Sequence, residues 1–365
     1  MFRRALLAGA ALASLTAFAA QADILIATAG PMTGEYAAFG VQMKAGATQA
    51  VADINRAGGL LGQQVRLEIG DDACDPRQAV SVANKLASDG VKMVAGHYCS
   101  GSSIPASKVY ADEGILQISP ASTNPDYTDK GSWNTFRVCG RDDQQGQVAG
   151  AYLAAHYKGE KVAILDDNSA YGKGLADQTR AAMNAAGLKE VLDEHYVAGE
   201  KDYSALISRM KQAGIQVIYI GGYHTEAGLI ARQAKEQGLN VQIVSGDALA
   251  TDQFAAIAGP AGDGFMFTFP PDPRLNPAAA QVVNEFKTTG YNPEGYTLYT
   301  YAAIQIWAEA VKKAGTTDGR KVAAALKANG PWTSVIGNIS FNAKGDITQP
   351  AYVFYVWKGG KYAQM

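Results

Sequence analysis

Short apolar runs alternate with amphipathic segments along most of this chain. The runs ILIATAG at residues 24–30 and VKMVAG at residues 91–96 are each followed by a glycine-containing loop, and a segment with helical spacing of apolar positions comes next. Short apolar runs bounded by turn residues are typical of strands that are buried on both faces of a parallel sheet. The alternation therefore predicts βαβ units and an α/β fold with doubly wound parallel sheets.

The plan of the first half of the chain returns in the second half. Residues 24–59 pass through a strand, a loop with aromatic residues and glycine, a helix and a closing glycine, and residues 162–187 repeat this order. Further apolar runs follow at VIYIGG (217–222) and QIVSGD (242–247), and each again precedes a helical segment. We therefore expect two similar doubly wound lobes rather than one long sheet.

The C-terminal part of the chain does not have the pattern of a third lobe. Helical segments between residues 277 and 329 are followed by two β-like runs separated by a turn region. The simplest arrangement is that the chain returns to the first lobe and then makes a final pass to the second. Lobe 1 is therefore predicted to comprise residues 23–141 plus 272–348, and lobe 2 residues 142–271 plus 349–365.

The N-terminus has the pattern of a secretory signal peptide. Arg3 and Arg4 precede an apolar run, and the small residues of Ala20-Gln21-Ala22 form a cleavage site. The alternative, a membrane anchor, is disfavoured because the run is shorter than a bilayer requires and no second long apolar stretch follows. Residues 1–22 are predicted to be removed by cleavage after Ala22, which leaves an exported, periplasmic protein without a membrane anchor.

Charge and cysteine content exclude several classes of function. The net charge is −2 and no basic run occurs, so nucleic acids and anionic membrane surfaces are not expected as partners. The three cysteines, Cys74, Cys99 and Cys139, have no metal-ligand spacing and the four histidines are scattered, so no metal or other cofactor is predicted. We expect a Cys74–Cys99 disulfide after export, and Cys139 to be a buried apolar residue.

An enzymatic role has little support in the sequence. There is no GxSxG, HExxH, P-loop or GxGxxG motif. The nearest catalytic arrangement is Cys99 with His97 two residues before it, on the same face of an extended segment. The alternative of a disulfide between Cys74 and Cys99 is favoured over a reactive thiol. The chain is therefore not expected to be an enzyme.

The loops after the predicted strands carry the candidate binding residues. In open parallel sheets, ligands bind beyond the carboxyl ends of the strands. Free backbone N–H groups and the positive end of a helix attract a carboxylate beside the serine hydroxyls, although these serines can also serve only as caps. An aspartate can hold an ammonium group, although Asp247 could instead cap the next helix. A carboxylate and an ammonium together indicate an amino acid as ligand, with these candidate contacts: Phe39, Tyr98, Ser100, Ala121 and Thr123 in lobe 1, and Tyr171, Tyr223 and Asp247 in lobe 2.

Several of these loops carry motifs of a known family. The segments GPMTGEYAAFG, DDACDPRQAV, GHYCSGSS, SPASTNP, AYGKGLA and GGYHTEAGLI resemble the leucine/isoleucine/valine-binding proteins, the periplasmic components of branched-chain amino acid ABC transporters. The resemblance extends over essentially the whole mature chain. It implies a type I periplasmic-binding fold, in which a three-segment hinge joins the two lobes, and a function in amino-acid transport.

The resemblance also implies roles for individual residues. The ligand carboxylate would be held at Ser100 and Thr123, and the ammonium by the carbonyl group of Ala121, by Thr123 and by Asp247. The aromatic wall of the second lobe would be formed by Tyr171. The disulfide of the family matches the two cysteines already paired above.

Three positions depart from the family pattern and bear on specificity. Asp247 stands where the best-known members have glutamate, so its carboxylate reaches one methylene less far. Phe39 replaces a larger polar aromatic residue, and Tyr98 replaces a small aliphatic residue of the leucine binders. Tyr223, by contrast, matches the family pattern and, like Tyr171, would form part of the aromatic wall of the second lobe. The grip on an α-amino acid is therefore better supported than a preference for branched chains, and alanine, valine or proline are equally plausible ligands.

The resemblance implies partners as well. We expect a free amino acid as ligand, the membrane permease subunits of an ABC transporter as protein partners, and a monomer in solution. The alternative is a sensory module of the same fold that reports amino-acid availability to a receptor or kinase.

Overall fold

The computed structural model describes residues 23–365, and its first sheet consists of five parallel strands. Their spatial order is β2-β1-β3-β4-β5. β3 to β5 are buried along their whole length, as expected for a sheet covered on both faces. The strands are β1 (Ile24–Gly30), β2 (Val65–Asp71), β3 (Met93–Gly96), β4 (Leu116–Ser119) and β5 (Thr135–Arg137).

Helices connect these strands and cover the first sheet. Asp75 caps the second of them by accepting hydrogen bonds from two backbone N–H groups of its first turn, and a proline occupies the first helical position. The helices are α1 (Ala37–Arg56), α2 (Pro76–Ser88), α3 (Ser100–Asp112) and α4 (Asp126–Asp129).

The second sheet repeats the strand order of the first. Five parallel strands lie in the order β7-β6-β8-β9-β10, which is the order β2-β1-β3-β4-β5 of the first sheet. The prediction of two similar doubly wound lobes is therefore confirmed. The strands are β6 (Val162–Asp166), β7 (Glu190–His195), β8 (Val217–Gly221), β9 (Gln242–Ser245) and β10 (Met266–Phe269); the helices are α5 (Asp142–His156), α6 (Ala170–Ala185), α7 (Ser204–Ala213), α8 (His224–Glu236) and α9 (Asp252–Ala258).

After β10 the chain returns to lobe 1. The long helix α11 packs along α1, and the hydroxyl of Tyr301 donates a hydrogen bond of 2.8 Å to Asp53. The returning elements are α10 (Ala280–Thr288), α11 (Thr297–Ala314), α12 (Gly319–Ala328) and the hairpin β11 (Trp332–Ser334) and β12 (Gly337–Ile339). None of the helices within residues 23–365 has the length and apolar character needed to cross a bilayer.

The last two strands extend the second sheet. β13 (Val353–Lys358) pairs antiparallel with β10, and β14 (Lys361–Gln364) pairs with β13. The chain thus passes between the lobes after β5, after β10 and before β13, which confirms the two-lobed α/β fold with three connecting segments. The residue-level lobe boundaries, at 141/142, 271/272 and 348/349, stay a prediction.

A buried arginine joins the first of these connecting segments to the last through an ion pair. Arg137 at the end of β5 has no exposed surface, and its Nε lies 2.7 Å from a carboxylate oxygen of Asp346. Its two Nη groups donate hydrogen bonds to the carbonyl oxygens of Ser122 at 2.6 Å and Asn124 at 3.0 Å. The guanidinium therefore fixes the backbone on both sides of Thr123.

The predicted disulfide is present in lobe 1. Cys74 and Cys99 are bonded, with their Cα atoms 5.6 Å apart. The Nδ1 atom of His97 lies 2.5 Å from a carboxylate oxygen of Asp72, and its Nε2 atom lies 2.9 Å from the hydroxyl of Tyr110. The pair of Cys99 and His97 is therefore used in structural bonds, and the disulfide prediction is confirmed.

The disulfide should contribute measurably to stability. Replacing both Cys74 and Cys99 by serine is expected to lower the free energy of unfolding by about 3 kcal/mol, because the bond closes a loop with a sequence separation of 25 residues. Urea unfolding of the double variant and of the wild type measures this difference. In the wild type, a reductant should reproduce the loss, whereas in the double variant it should change nothing; a wild type insensitive to reductant would contradict the prediction.

Candidate functional site

The carboxyl ends of the two parallel sheets face one another across a cleft. The loops after β3 and β4 in lobe 1 meet the starts of α6 and α8 and the turn after β9 in lobe 2. Between them lies a small void of about 170 Å³, which includes the gaps between side chains. It is lined by Tyr98, Ser100, Ala121, Tyr171, Tyr223, Asp247 and Ala248.

Six of the eight candidate residues from the sequence therefore line one void. Of the other two, Phe39 is fully buried and stacks on Tyr98, with ring centroids 4.2 Å apart and an interplanar angle of 11°. Thr123 is also fully buried, and its backbone carbonyl accepts the N–H of Asp142 at 2.9 Å. The structure brings these residues together, and their roles as ligand contacts stay predictions.

The lobe 1 side of the void presents hydroxyl groups. Ser100 is the first residue of α3, and its Oγ accepts the backbone N–H of Asn124 at 3.2 Å. Within residues 23–365, the buried hydroxyl of Tyr98 has no hydrogen-bond partner, whereas the hydroxyl of Thr123 lies near the carboxyl group of Asp142. Buried polar groups without partners are rare in folded proteins. The Tyr98 hydroxyl is therefore suited to contact a polar ligand.

The lobe 2 side of the void presents a buried carboxylate. Asp247 is 2% exposed, and its Oδ1 accepts a hydrogen bond of 2.9 Å from the hydroxyl of Tyr171. The hydroxyl of Tyr296 donates to the other oxygen, Oδ2. Burial raises the pKa of Asp247, whereas the hydrogen bonds from the two phenols act in the opposite direction because they stabilise the charged form.

Asp247 does not cap the helix that follows it. It begins a single turn of 3₁₀-helix, Asp247–Leu249, and α9 starts only at Asp252. The side chain of Thr251 caps α9 by accepting the backbone N–H of Gln253. The capping alternative for Asp247 is therefore wrong, and its carboxylate faces the void instead.

Aromatic rings line the void and pack behind its walls. The ring centroids of Tyr171 and Tyr223 lie 5.0 Å apart, and Tyr36 of lobe 1 packs on Tyr223 at 4.3 Å. On the opposite side, Tyr98 meets Tyr296 edge to face at 5.4 Å. Burial raises the pKa of each of these phenols, so they are neutral hydrogen-bond donors at physiological pH.

Direct contacts between the lobes surround the cleft. The hydroxyl of Tyr36 lies 3.3 Å from both carboxylate oxygens of Glu226, which also accepts the N–H of Gly199 at 3.0 Å. Lys201 of lobe 2 forms an ion pair of 2.7 Å with Glu35 of lobe 1. The lobes are thus closed on one another, with the void between them.

A second buried carboxyl group lies near Asp247. Asp142 is fully buried at the start of α5, and the nearby hydroxyl of Thr123 favours its charged form. Burial raises its pKa well above the ordinary value, and the nearby charge of Asp247 acts in the same direction. The described residues contain no cluster of histidine, cysteine and carboxylate side chains that could hold a metal ion.

The sequence analysis missed three residues that shape this site. Tyr296 contacts Asp247 from the segment before α11, and Tyr36 and Glu226 join the lobes at the rim. Tyr296 does not follow a strand, so the rule that sites lie at strand ends could not find it. Tyr36 and Glu226 belong to the quoted motifs GPMTGEYAAFG and GGYHTEAGLI, and this was the available signal for them.

Comparison with known proteins identifies the class that this fold and cleft define. A family model described as periplasmic binding protein matches residues 23–361, and the chain belongs to this family. It is 52% identical over 360 residues to Leu/Ile/Val-binding protein homolog 1 of Brucella suis biovar 1, which covers 98% of this chain and 97% of the relative. The resemblance to the leucine/isoleucine/valine-binding proteins is thereby confirmed.

Two further relatives bear on the site. The leucine-, isoleucine-, valine-, threonine- and alanine-binding protein of Pseudomonas aeruginosa is 42% identical, over 96% of this chain and 95% of the relative. The crystal structure of a branched-chain amino acid transporter substrate-binding protein of Streptococcus pneumoniae, in complex with isoleucine, is 27% identical. It has a TM-score of 0.86 and covers 94% of this chain and 99% of that chain. The type I periplasmic-binding fold is thereby confirmed.

Proposed function

We propose that this chain is the extracytoplasmic solute-binding protein of an ABC importer and that it binds a neutral amino acid between its lobes. The observation that carries the proposal is the pairing of opposite faces across one void. Ser100 and the hydroxyl of Tyr98 in lobe 1 suit a carboxylate, whereas the buried carboxylate of Asp247 in lobe 2 suits an ammonium group. An α-amino acid carries both groups on a single carbon atom, so it can contact both faces of one small void.

The size of the void limits the ligand. The 170 Å³ is divided into gaps between side chains that are too narrow for a water-sized sphere, so any ligand must displace the tyrosine rings that form the walls, and a small side chain displaces them least. Alanine, valine or proline therefore suit the site at least as well as leucine or isoleucine. The printed name of the Pseudomonas aeruginosa relative, which includes threonine and alanine beside the branched-chain amino acids, agrees with this range.

The proposed mechanism is capture by closure of the lobes about the connecting segments. Hinge closure around a ligand is the motion expected of periplasmic binding proteins. A ligand that contacts Ser100 in lobe 1 and Asp247 in lobe 2 favours the closed state, because both contacts exist together only there. The membrane permease subunits of the importer would then recognise the closed shape of a monomer.

Export to the periplasm completes the proposal. The predicted signal peptide, with cleavage after Ala22, lies outside the described residues. The Cys74–Cys99 disulfide supports an oxidising compartment. No catalytic residue or cofactor is part of the proposed function.

A thermal-shift screen against all common amino acids tests the proposal. A ligand at about 100 times its dissociation constant should stabilise the protein by about 2.7 kcal/mol, which raises the melting temperature. The matched controls are the amine and the acid of the best ligand, each lacking one of the two charged groups, and both should be inactive. If no amino acid raises the melting temperature, the proposal is wrong.

The ring of Tyr98 should set the preferred side-chain length. Tyr98→Leu is expected to improve binding of leucine relative to alanine by about tenfold, because it frees space beside the ligand side chain. Titration calorimetry with both amino acids measures the ratio. The control variant Tyr98→Phe keeps the ring and should leave the ratio unchanged. An equal ratio in all three proteins would show that Tyr98 does not contact the side chain of the ligand.

A further inference from the structure

The two phenols that bind Asp247 come from opposite lobes. Tyr171 belongs to α6, and Asp247 belongs to the turn after β9; both elements are in lobe 2. Tyr296 directly precedes α11, which packs along α1 in lobe 1. The hydrogen bond from Tyr296 to Asp247 therefore joins the lobes at the wall of the void.

Contacts from both lobes hold Tyr296 in place, since Gln42 and Tyr98 belong to lobe 1 and Phe269 to β10 of lobe 2. The side chain is 1% exposed, and its backbone N–H donates a hydrogen bond of 2.9 Å to Oε1 of Gln42 on α1. Its ring packs edge to face against Tyr98 at 5.4 Å and Phe269 at 5.3 Å. A phenol fixed in this way cannot follow a movement of the carboxylate, so the position of the phenol determines where the hydrogen-bonded carboxylate lies.

The residues beside Tyr296 also span the two lobes. The carboxylate of Glu294 accepts the backbone N–H of Asp252, the first residue of α9, at 2.9 Å. Gly295 has a φ of +51°, and a Cβ atom there would lie 2.4 Å from Oε1 of Gln42 and 2.5 Å from the carbonyl oxygen of Ala250. Only glycine permits this approach, so Tyr296 reaches Asp247 through a segment built to contact both lobes.

We propose that Tyr296 is a positioning residue for Asp247: its hydroxyl orients the carboxylate toward the ammonium of the ligand. The inference rests on the proposed function. Each oxygen of Asp247 accepts one hydrogen bond from a phenol, and the side-chain amide of Gln145 also stabilises the charged carboxylate, which still keeps a lone pair for the ligand. The two anchors fix the plane of the carboxylate, so little orientation remains to be lost when the ammonium binds.

Tyr299 provides a matched control for Tyr296. It lies three residues further along in α11, is buried, and packs against Phe269 with ring centroids 6.0 Å apart. The centroid of its ring lies 5.6 Å from the ring centroid of Tyr296. It makes no hydrogen bond to Asp247, so Tyr299→Phe removes a buried phenol without removing the proposed anchor.

A double-mutant cycle tests the pairing. Titration calorimetry with alanine and valine is applied to the wild type, Tyr296→Phe, Tyr299→Phe, Asp247→Glu and the double variant Asp247→Glu/Tyr296→Phe. Tyr296→Phe should weaken binding by about tenfold or more, because a hydrogen bond to a buried charge is lost. Tyr299→Phe should stay within about twofold of the wild type. The double variant should bind more tightly than either parent single variant, since the longer carboxylate needs the space that the hydroxyl filled.

Rescue by the longer carboxylate distinguishes positioning from a structural role. A merely structural Tyr296 would give losses that add in the double variant, and this result would overturn the inference. Equal affinities of Tyr296→Phe and Tyr299→Phe would also overturn it. A wild-type protein that binds no amino acid would instead overturn the proposed function, and with it this inference. Urea unfolding of each variant identifies any loss that comes from stability rather than from the site.

Discussion

Asp247→Ala is expected to abolish most of the affinity for an amino acid, by about 2–5 kcal/mol, which is roughly thirtyfold to several thousandfold. Asp247 is the carboxylate that faces the void, and among residues 23–365 no other acidic side chain lines it. Without it, closure would bury the ligand ammonium without a counter-charge, and an unpaired buried charge is costly. Titration calorimetry against the best amino acid of the screen measures the loss.

Two controls make this result specific to Asp247. Asp112→Ala removes an exposed carboxylate at the end of α3 opposite to Ser100 and should leave the affinity unchanged. Asp247→Asn keeps the shape and removes the charge, so it should lose nearly as much affinity as alanine. If Asp247→Ala binds as tightly as the wild type, the ammonium does not bind at this carboxylate, and the orientation proposed for the ligand is wrong.

Arg137→Met is expected to lower the free energy of unfolding by about 3 kcal/mol or more. The guanidinium is fully buried and pairs with Asp346, which is itself 3% exposed, so the substitution leaves a buried carboxylate with fewer partners. Arg141 still contacts Asp346 at 3.0 Å, which keeps the loss at the lower end of the usual range. Urea unfolding monitored by circular dichroism measures the change.

The matched control for Arg137 is a surface pair in the same region. Lys344 forms an ion pair of 2.7 Å with Asp129, and the lysine side chain is more than half exposed. Lys344→Met should therefore change the free energy of unfolding by less than about 1 kcal/mol. The double variant Arg137→Met/Asp346→Leu should be more stable than Arg137→Met alone. A single variant as stable as the wild type would show that the buried pair contributes nothing.

The fold was predictable because its signals are local. Buried strands of a parallel sheet are continuous apolar runs, and helices between them have their own period, so β1, β6 and their neighbours could be located from the sequence. The repeat of this plan gave the two lobes. The final antiparallel pairing of β13 with β10 is not local, and apolar runs near the C-terminus could not specify their partners.

The candidate site was predictable to the extent that it lies at strand ends. Tyr98, Ser100 and Asp247 follow β3 and β9 directly, so topology alone placed them at one edge of each sheet. Tyr296 could not be found in this way. It reaches the void because α11 returns to lobe 1, and that depends on helix packing between segments far apart in the sequence.

Whether Asp247 caps a helix or faces the void could likewise be decided only from the three-dimensional structure. An aspartate after a strand and before a helical run satisfies both patterns. The structure decides because Thr251 already supplies the cap of α9, which leaves the Asp247 carboxylate to the two phenols. The residue that caps α9 and the residue that faces the void lie only a few positions apart, so local composition cannot distinguish the two roles.

The direct contacts at the rim of the cleft have a kinetic consequence. Tyr36 with Glu226 and Lys201 with Glu35 join the lobes without touching the enclosed void. An enclosed molecule escapes only when the lobes part, so its residence time depends on how fast these bonds break as well as on its own contacts. Two ligands held by the same groups would then share a common escape step, set by the rim rather than by their side chains.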